Sequence, residues 1–594
     1  MTVPAASERR GLARFAGSGL AGSALAGLLA LGLGGCASSA PSSASNPANA
    51  KHGADGQRGG TLTLLSSSPT LHLDPALALT TTERLVAAAT QRALFAYLPS
   101  DPTTMVPDLA SGPPHVSLSG RTVTVALRPG VRFAPPLSRE VTSADVAYAI
   151  ERGFNPHVAS PWARRYFGHL LGARRARGGA LAGIRTPDPR TIVFRLDRPA
   201  GSYVAQALVL PLSAPVPRAY AAPLDAHSPS TYRTHVAATG PYTPQPTSRA
   251  GAAHGSRADL VRLVRNANWE AGTDVRPAFP NDVVLRLGRD PSGAASEVLT
   301  GTHSVDADPP PGAAIALARR RHAKQIYFSA GAGSEYVALN TATAPFDRLQ
   351  TRRAVYAALD RTRLAAARGA PLAGDVANHF LYTGVNGSRE AGGLVARGLD
   401  FAGHPSGDMG LARSYMRRAG YGSGRAAGAR VTIAGVRDGP DAQIARQVAG
   451  TLNQLGFTTR LLLVSRASMY SRYCGQPRMR VQVCPSVGWV RDFSDPEAVL
   501  FPAFNGGAVT PTLNLNWPQL NDPAVNAAMA QAETAAGIAA RAVAWGRIDD
   551  MISADAPAVV YDWVRRPTVW SADVECVNAT WDAGLCDLTY SSLR

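Results

Sequence analysis

The chain has 594 residues, more than one hydrophobic core usually supports, so two or three lobes are expected. Its hydrophobic fraction of 45% and charged fraction of 17% are those of a globular protein. The net charge of +18 is carried almost entirely by arginine, because Lys51 and Lys324 are the only lysines. Such a charge suits nucleic acid or anionic lipid, but no lysine- or arginine-rich run of the nucleic-acid kind occurs. We therefore favour arginines spread over a solvated surface and expect no nucleic-acid partner.

The N-terminus has the layout of a bacterial export signal. Three arginines within the first 14 residues precede an uncharged run of Gly, Ala and Leu over residues 15–33. The run ends in the letters LGGC at Cys36, which looks like the lipidation motif of a lipoprotein. A plain secretory signal with a chance cysteine is the alternative, and the letters ERRGLARF also loosely match a twin-arginine signal. We predict a lipoprotein signal peptide at 1–35 and lipidation of Cys36.

A flexible tether is predicted to follow at residues 36–58, which are rich in Ser, Ala, Pro and Gly and have no apolar period. No later segment has the run of roughly 18 or more apolar residues that a membrane span needs. The sequence therefore predicts a folded body held by a lipid anchor at the extracytoplasmic face of the bacterial cell membrane.

The other four cysteines form two pairs, Cys474 with Cys484 and Cys576 with Cys586, each ten residues apart. An exported protein meets an oxidising compartment, so we predict two local disulfides. A zinc site would need cysteines two to four residues apart, and neither pair has that spacing.

The predicted elements of the first half alternate between strands and helices. In chain order they are a strand at 58–65, a helix from about Thr82, a strand–turn–strand hairpin at 121–133, a helix within 141–154 whose N-cap is Thr142, and strands at 191–199, 261–269 and 282–290.

The second half has a different rhythm. Its predicted elements are a strand at 335–340, helices at 348–361 and 411–422, a strand at 429–436, a helix at 440–457 that ends at Gly456, and a strand at 458–465. The last three form a βαβ unit, which predicts a parallel strand pair. The body is α/β throughout, with a more antiparallel stretch around 115–200.

Several catalytic signatures are missing from the sequence. The only G-x-G-x-x-G lies at 17–22 inside the signal peptide, and neither lysine follows a glycine as a phosphate-binding loop requires. Neither H-E-x-x-H nor a G-x-S-x-G nucleophile motif is present. We expect a protein that is not an enzyme and has no cofactor or metal, and an extracytoplasmic hydrolase is the least favoured alternative.

Nine segments, taken in order, resemble one known family. They include GGTLTLL, VTSADVAYAIER and GWVRDFSDP, and they lie at 59–75, 94–110, 121–152, 239–242, 265–269, 337–361, 412–421, 444–457 and 488–496. The chain is similar to the family 5 extracellular solute-binding proteins of ABC importers, in the class that binds oligopeptides and dipeptides. It departs from the family at 133–140, where FAPPLSRE replaces the pattern F-x-D-G-x-P.

The resemblance implies a two-lobed, periplasmic-binding-protein-like clamshell of class II with a third, accessory lobe. The ranges that it implies are lobe I at 59–92, 213–335 and 566–594, the accessory lobe at 93–212, and lobe II at 336–565. Closure of the clamshell is a hinge motion, which a ligand stabilises by touching both lobes.

The resemblance also implies a ligand site. In the peptide binders of this family, an aspartate three residues after a tryptophan accepts the ligand's α-ammonium group. The matching residue here is Asp492, after Trp489, and Asn340 at a strand end is a further candidate. The alternative for Asp492 is a salt bridge to an arginine such as Arg491 or Arg352.

Two neighbours of Asp492 carry interpretations of their own. Trp489 suits a pocket wall and core packing equally well. Asp495 is predicted to cap a helix that begins near Pro496.

The function that the resemblance implies is capture of peptides with a free α-amino group and their delivery to an ABC transporter permease and, through it, to the ATPase. The protein is expected to be a monomer. A peptide-sensing receptor without import is one alternative. A binder of a non-peptide solute, such as a nickel chelate, haem or a sugar, is another.

Overall fold

The computed structural model describes residues 56–68, 71–245, 260–579 and 584–594, all within one compact unit, Ser45–Arg594. The predicted signal peptide at 1–35, Cys36 and most of the predicted tether lie outside the described residues. Among the residues that are described, no helix is long and apolar enough to cross a membrane.

The strands form three larger sheets and several two-stranded ribbons. In chain order they are β1 (Thr61–Leu65), β2 (Phe95–Leu98), β3 (Asp101–Pro107), β4 (His115–Val116), β5 (Thr122–Ala126), β6 (Ile184–Asp188), β7 (Thr191–Arg195), β8 (Tyr242–Gln245), β9 (Leu260–Arg265), β10 (Asp282–Arg286), β11 (Ser304–Asp306), β12 (Ile326–Leu339), β13 (Gly374–Asp375), β14 (Arg430–Val436), β15 (Thr458–Val464), β16 (Val483–Trp489), β17 (Ala558–Val569), β18 (Val574–Glu575), β19 (Asn578–Ala579), β20 (Leu585–Cys586) and β21 (Ser592–Leu593).

The helices are interspersed with these strands along the chain. They are α1 (Thr81–Thr90), α2 (Ser143–Arg152), α3 (Ala163–Phe167), α4 (Gly201–Ala207), α5 (Arg218–Asp225), α6 (Pro291–Thr300), α7 (Gly312–Arg321), α8 (Leu349–Ala358), α9 (Arg361–Ala367), α10 (Gly393–Ala396), α11 (Met409–Arg418), α12 (Gly439–Gln454), α13 (Arg466–Ser468), α14 (Glu497–Phe504), α15 (Pro523–Glu533) and α16 (Ile538–Asp555).

The first large sheet has the strand order β11-β1-β10-β9-β8, and we call the part of the chain around it lobe I. β1 pairs in parallel with β10 and β11, whereas β9 pairs antiparallel with β8 and β10. Alternate residues such as Leu62 and Leu64 are buried, as expected for a strand with one face on a core. The C-terminal strands β18–β21 supply Val574, Leu585 and Leu593 to the same core, so the end of the chain belongs to lobe I.

The second large sheet has the order β13-β17-β12-β16-β14-β15, and we call its surroundings lobe II. β14 and β15 are parallel and are joined by α12, so the predicted βαβ unit is present. The chain passes from lobe I into lobe II along β12 and returns along β17. These two strands pair antiparallel over most of their length. Just beyond β17, Trp570 forms a bridge with Val305 of the lobe I sheet.

The third sheet, β4-β5-β7-β6, is antiparallel and forms the accessory lobe together with α2, α3 and α4. The hairpin predicted at 121–133 is wrong, because β5 pairs with β4 and β7. The residues after β5 form isolated bridges instead, Leu127 with Ala110 and Arg132 with Glu140. The alternating apolar pattern that includes Val131 and Phe133 reflects the burial of both side chains in the accessory-lobe core, not pairing in a hairpin.

Both predicted cysteine pairings are present as disulfides. Cys474 and Cys484 join the segment after α13 to β16 in lobe II, with a Cα–Cα distance of 6.3 Å. Cys576 and Cys586 close the C-terminal ribbon against lobe I, with a Cα–Cα distance of 5.1 Å. The two crosslinks therefore brace one short loop in each of these lobes.

Candidate ligand-binding site

β16 positions the predicted anchor residue. Its residues from Val483 to Val487 are buried, and at its end Trp489 pairs with Ser334 of β12. The chain then leaves the sheet and carries Asp492 toward the other two lobes. The strand thus ends where a carboxylate can face a ligand held between lobes.

Asp492 lies where the three lobes meet. Tyr166 Oη of the accessory lobe donates a short hydrogen bond to its Oδ2. Arg165 Nη1 lies 3.5 Å from the same oxygen, and Arg84 Nη1 of lobe I lies 3.6 Å from Oδ1. The Asp492 side chain is 13% exposed, so its charge is largely shielded from water. The salt bridge that we considered from the sequence exists, but with Arg84 and Arg165 as partners.

The two arginines named from the sequence have contacts of their own. Arg352 Nη2 lies 2.7 Å from Asp555 Oδ1. Arg491 is buried, and its backbone N–H donates to the hydroxyl of Tyr382. Arg352 is therefore paired with Asp555, and the arginines found beside Asp492 are Arg84 and Arg165.

The charges around Asp492 are well defined. Burial, followed by the negative charge of Asp492, raises the pKa of Tyr166 well above its usual range, so its hydroxyl stays protonated and donates. Burial opposes the charge on Arg165, but the attraction of negative groups, Asp492 among them, outweighs it and the pKa of Arg165 is raised. The site therefore combines one carboxylate, one phenol donor and two guanidinium groups at a distance beyond ordinary hydrogen bonding.

Trp489 packs in a core, and a role for it as a pocket wall stays a prediction. Its side chain is buried and its ring centroid lies 6.3 Å from that of Trp517, within the lobe II core. Its other neighbour is the Arg165 guanidinium, whose carbon lies 4.8 Å from the ring centroid in a cation–π contact. Within the described chain, the indole Nε1 of Trp489 is buried and has no hydrogen-bond partner.

Asn340 is not brought near Asp492. It follows β12, whose last residue Leu339 pairs with Val483 at the start of β16. Trp489, at the end of β16, pairs with Ser334, so the two residues lie at opposite ends of the β12–β16 pairing. At about 3.3 Å per residue, the six residues from Ser334 to Asn340 span about 20 Å. The Asn340 amide also donates to Val481 O at 2.9 Å and accepts from Ala342 N at 3.1 Å, which ties down the strand end. A ligand role for Asn340 stays a prediction.

Asp495 holds the segment that follows the anchor. Its carboxylate accepts the backbone N–H of Glu497 at the first residue of α14, although the N-cap position itself belongs to Pro496. Its main partner is the fully buried Arg541, at 2.8 and 2.7 Å, and it also accepts from Gln206 Nε2 of the accessory lobe at 2.5 Å. Asp495 thus bonds the first N–H of the helix from one residue before the N-cap, which corrects the predicted cap position, and it also ties lobe II to the accessory lobe.

The residues between the two aspartates dock on the other lobes. The Phe493 ring lies 5.0 Å from that of Tyr166 in an edge-on contact and belongs to the accessory-lobe core. The Ser494 N–H donates to Tyr97 Oη at 3.1 Å, and the Ser494 hydroxyl donates to Pro102 O. The segment that follows Asp492 is therefore held by packing and hydrogen bonds.

Sequence reasoning did not find Arg84, Arg165 or Tyr166. Tyr166 lies 326 residues before Asp492, and no local pattern links positions so far apart. Only the three-dimensional meeting of the lobes reveals these partners.

Other parts of the described chain offer less chemistry. Two surface cavities of about 310 and about 370 Å³ are lined by other residues, the first by Tyr148, Arg152 and Asp225 and the second by Arg363 and Gln447 among others. Within the described ranges, no group of three or more His, Cys, Asp or Glu residues is placed to hold a metal ion. The arrangement at Asp492 is suited to holding a cation against a carboxylate and an aromatic ring.

Solved structures similar to this chain share its fold. The "Clavulanic acid biosynthesis oligopeptide binding protein 2" is 27% identical, with a TM-score of 0.79 over 92% of this chain and 100% of that one. The periplasmic binding protein DppA from Helicobacter pylori in complex with the peptide STSA is 18% identical, with a TM-score of 0.67 over 90% and 98%. The Escherichia coli murein tripeptide binding protein MppA is 18% identical, with a TM-score of 0.66 over 90% and 98%.

A family model gives the assignment. A comparison with curated proteins finds no match. The model described as "Bacterial extracellular solute-binding proteins, family 5 Middle" matches residues 104–511, more than half of the chain. The mixed α/β lobes and their order agree with the two-lobed fold of these proteins. The chain belongs to the bacterial extracellular solute-binding proteins of family 5.

Proposed function

We propose that this protein is a lipid-anchored, extracytoplasmic receptor that captures peptides by their free α-amino group and delivers them to the permease of an ABC importer. The observation that carries the proposal is the place of Asp492, a shielded carboxylate beside an aromatic ring where three lobes meet. A free N-terminus is the one cation that every peptide has, whatever its side chains. A carboxylate that bonds it gives a charge-assisted anchor, about twice as strong as a neutral hydrogen bond.

The relatives support a peptide as the ligand. The name of the 27% identical protein describes it as an oligopeptide binding protein, and the DppA structure holds a peptide. The lipid anchor rests on the LGGC motif at Cys36, and the permease and its ATPase are the partners expected for an importer receptor. The lobe boundaries given from the sequence, with the accessory lobe at 93–212 and lobe II at 336–565, are part of the same proposal.

The mechanism is closure around the ligand. Asp492 comes from lobe II, Tyr166 from the accessory lobe and Arg84 from lobe I, so one bound ammonium group touches the meeting point of all three. A ligand favours the closed state only as far as it binds that state more tightly than the open one. An ammonium group on Asp492 meets this requirement by also contacting the Tyr166 hydroxyl, which the accessory lobe holds at the same carboxylate.

Native mass spectrometry of the mature protein tests the proposal. The protein is purified from its own host and offered a mixture of short peptides, either with free amines or N-acetylated. The wild type is expected to retain the free-amine peptides and Asp492→Ala to lose them. The control Asp438→Ala changes a carboxylate that is 75% exposed and should bind as the wild type does. Equal retention of acetylated peptides, or retention by Asp492→Ala, would contradict a peptide amine as the anchored group.

A further inference from the structure

Arg165 places a cation of the protein itself in the site proposed for the ligand's cation. Its guanidinium lies 3.5 Å from Asp492 Oδ2, 4.8 Å from the Trp489 ring centroid and 5.3 Å from that of Tyr166. The Arg165 side chain is 29% exposed, so water reaches part of it. A carboxylate and two aromatic faces thus surround a positive charge that belongs to the neighbouring lobe.

The contact is loose in a way that suits exchange. Charge-assisted hydrogen bonds from nitrogen to a carboxylate usually measure about 2.7–2.9 Å, and at about 3.5 Å the bond is weak. Arg165 Nε is also buried without a hydrogen-bond partner in the described part of the chain. An ammonium group at ordinary distance would therefore bind Oδ2 more strongly than Arg165 does.

The loose contact still has a purpose when no ligand is bound. Asp492 is largely shielded, and shielding a charge from water is costly unless nearby groups balance it, as Arg165 does together with Tyr166 and Arg84. Arg165 offsets that cost and at the same time joins the accessory lobe to lobe II. The same contact must break before a ligand's ammonium group can take its place.

We propose that Arg165 is a stand-in for the ligand's cation, which occupies the anchor in the empty protein and thereby sets the affinity for amine ligands. The proposal rests on the proposed function, in which Asp492 holds the amine. Only molecules in which Arg165 has moved aside can bind, so the apparent dissociation constant equals the intrinsic one divided by that fraction of molecules. If Arg165 leaves the anchor in about one molecule in ten, its removal tightens binding about tenfold.

Arg165→Met is the decisive variant, because methionine keeps an apolar stem over Trp489 and removes the charge. The matched control is Arg164→Met, one residue earlier in α3, since Arg164 donates to Ala176 O and does not contact Asp492. Both are titrated by calorimetry with one free-amine tripeptide that the wild type binds and with its N-acetylated form. Arg165→Lys, which keeps the charge, is the second variant and protects the test against a fault in folding.

The expected result is specific. Arg165→Met should bind the free-amine tripeptide about tenfold more tightly than the wild type, while Arg164→Met and Arg165→Lys stay within about threefold. The empty Arg165→Met protein should melt at a lower temperature than the wild type, and its ligand-induced rise in melting temperature should be larger. Unchanged or weaker binding by Arg165→Met would overturn the proposal.

The two proposals fail in different ways. If the wild type shows no preference for the free amine, the proposed function fails and the stand-in fails with it. If the wild type prefers the free amine but Arg165→Met does not bind it more tightly, only the stand-in fails. A further comparison uses the same tripeptide with its C-terminal carboxylate converted to an amide. If amidation weakens binding to the wild type but not to Arg165→Met, Arg165 binds the ligand's carboxylate, and the stand-in is overturned.

Discussion

Asp562 should make the protein less stable as the pH rises. It lies on β17 opposite Glu335, is fully buried, and both of its carboxylate oxygens lack a hydrogen-bond donor within the described residues. Burial is the main cause that raises its pKa to about 8, with Arg368 opposing the rise and Glu335 and Asp375 adding to it. The folded protein thus holds a proton on Asp562 at neutral pH, whereas the unfolded chain does not.

The sign follows from proton counting. Between about pH 4 and about pH 8 the folded state binds more protons at this position than the unfolded state, so the free energy of unfolding falls as the pH rises. The contribution is fully present below the unfolded pKa and is lost as the pH passes through the folded value. Each pKa unit corresponds to about 1.4 kcal/mol, which gives an upper bound of about 6 kcal/mol. Relaxation around a buried charge reduces such penalties, and we expect about 3 kcal/mol.

The variant Asp562→Asn removes the titrating group. Urea unfolding of both proteins is compared at about pH 5 and about pH 9. Between these two pH values, the free energy of unfolding of Asp562→Asn should rise by about 3 kcal/mol relative to that of the wild type. The control Asp438→Asn, at an exposed carboxylate, should change the free energy of unfolding by less than about 0.5 kcal/mol at either pH. A difference between Asp562→Asn and the wild type that is constant with pH, or that turns against the variant at high pH, would refute a neutral buried Asp562.

Two further stability predictions concern lobe II. Arg541→Met removes the closest cation of the buried Asp495 and Glu497, which lies 2.7 Å from each of them, and should lower the free energy of unfolding by about 3–5 kcal/mol. A loss in urea unfolding no larger than that of the exposed Arg437→Met would contradict this prediction. Replacing Cys474 and Cys484 together by Ser opens a loop of 10 residues and should cost about 3 kcal/mol, measured with and without reductant. Equal stability of the wild type and this double variant without reductant would argue that the crosslink adds nothing.

Local patterns sufficed for much of lobe II. The apolar alternation of β14 and β15, the helical period of α12 and the left-handed Gly456, whose φ is +90°, together predicted the βαβ unit. The cysteine spacing predicted both disulfides. These features depend on residues close together in the chain, so the sequence contains their signal.

Features that depend on distant contacts were missed or misread. β12 is far longer than the strand predicted at 335–340. The prediction stopped short because Gly331 and Gly333, near the middle of β12, are typical of a loop. Both have positive φ, and the pairing with β17 shifts register between Ser329 and Gly333. The hairpin at 121–133 was misread because burial in a core gives the same alternation as strand pairing.

The candidate site also contains both a residue that was predicted and residues that were missed. The resemblance gave Asp492, but nothing near it in the sequence specified Arg84, Arg165 or Tyr166 as its partners. Those contacts join residues hundreds of positions apart and depend on how three lobes come together. Asn340, chosen because it ends a strand, follows β12 six residues beyond Ser334, the residue that pairs with Trp489.

The account depends most on Asp492 as the acceptor of a ligand's amine. The most direct measurement is a calorimetric titration of the wild type and Asp492→Asn with one peptide and its N-acetylated form. We predict that acetylation weakens binding to the wild type by about 2–5 kcal/mol and hardly affects the variant, whose affinity for both forms is equally low. Equal binding of the two forms by the wild type, or full affinity in Asp492→Asn, would contradict the account and leave Asp492 as a structural partner of Arg84 and Arg165.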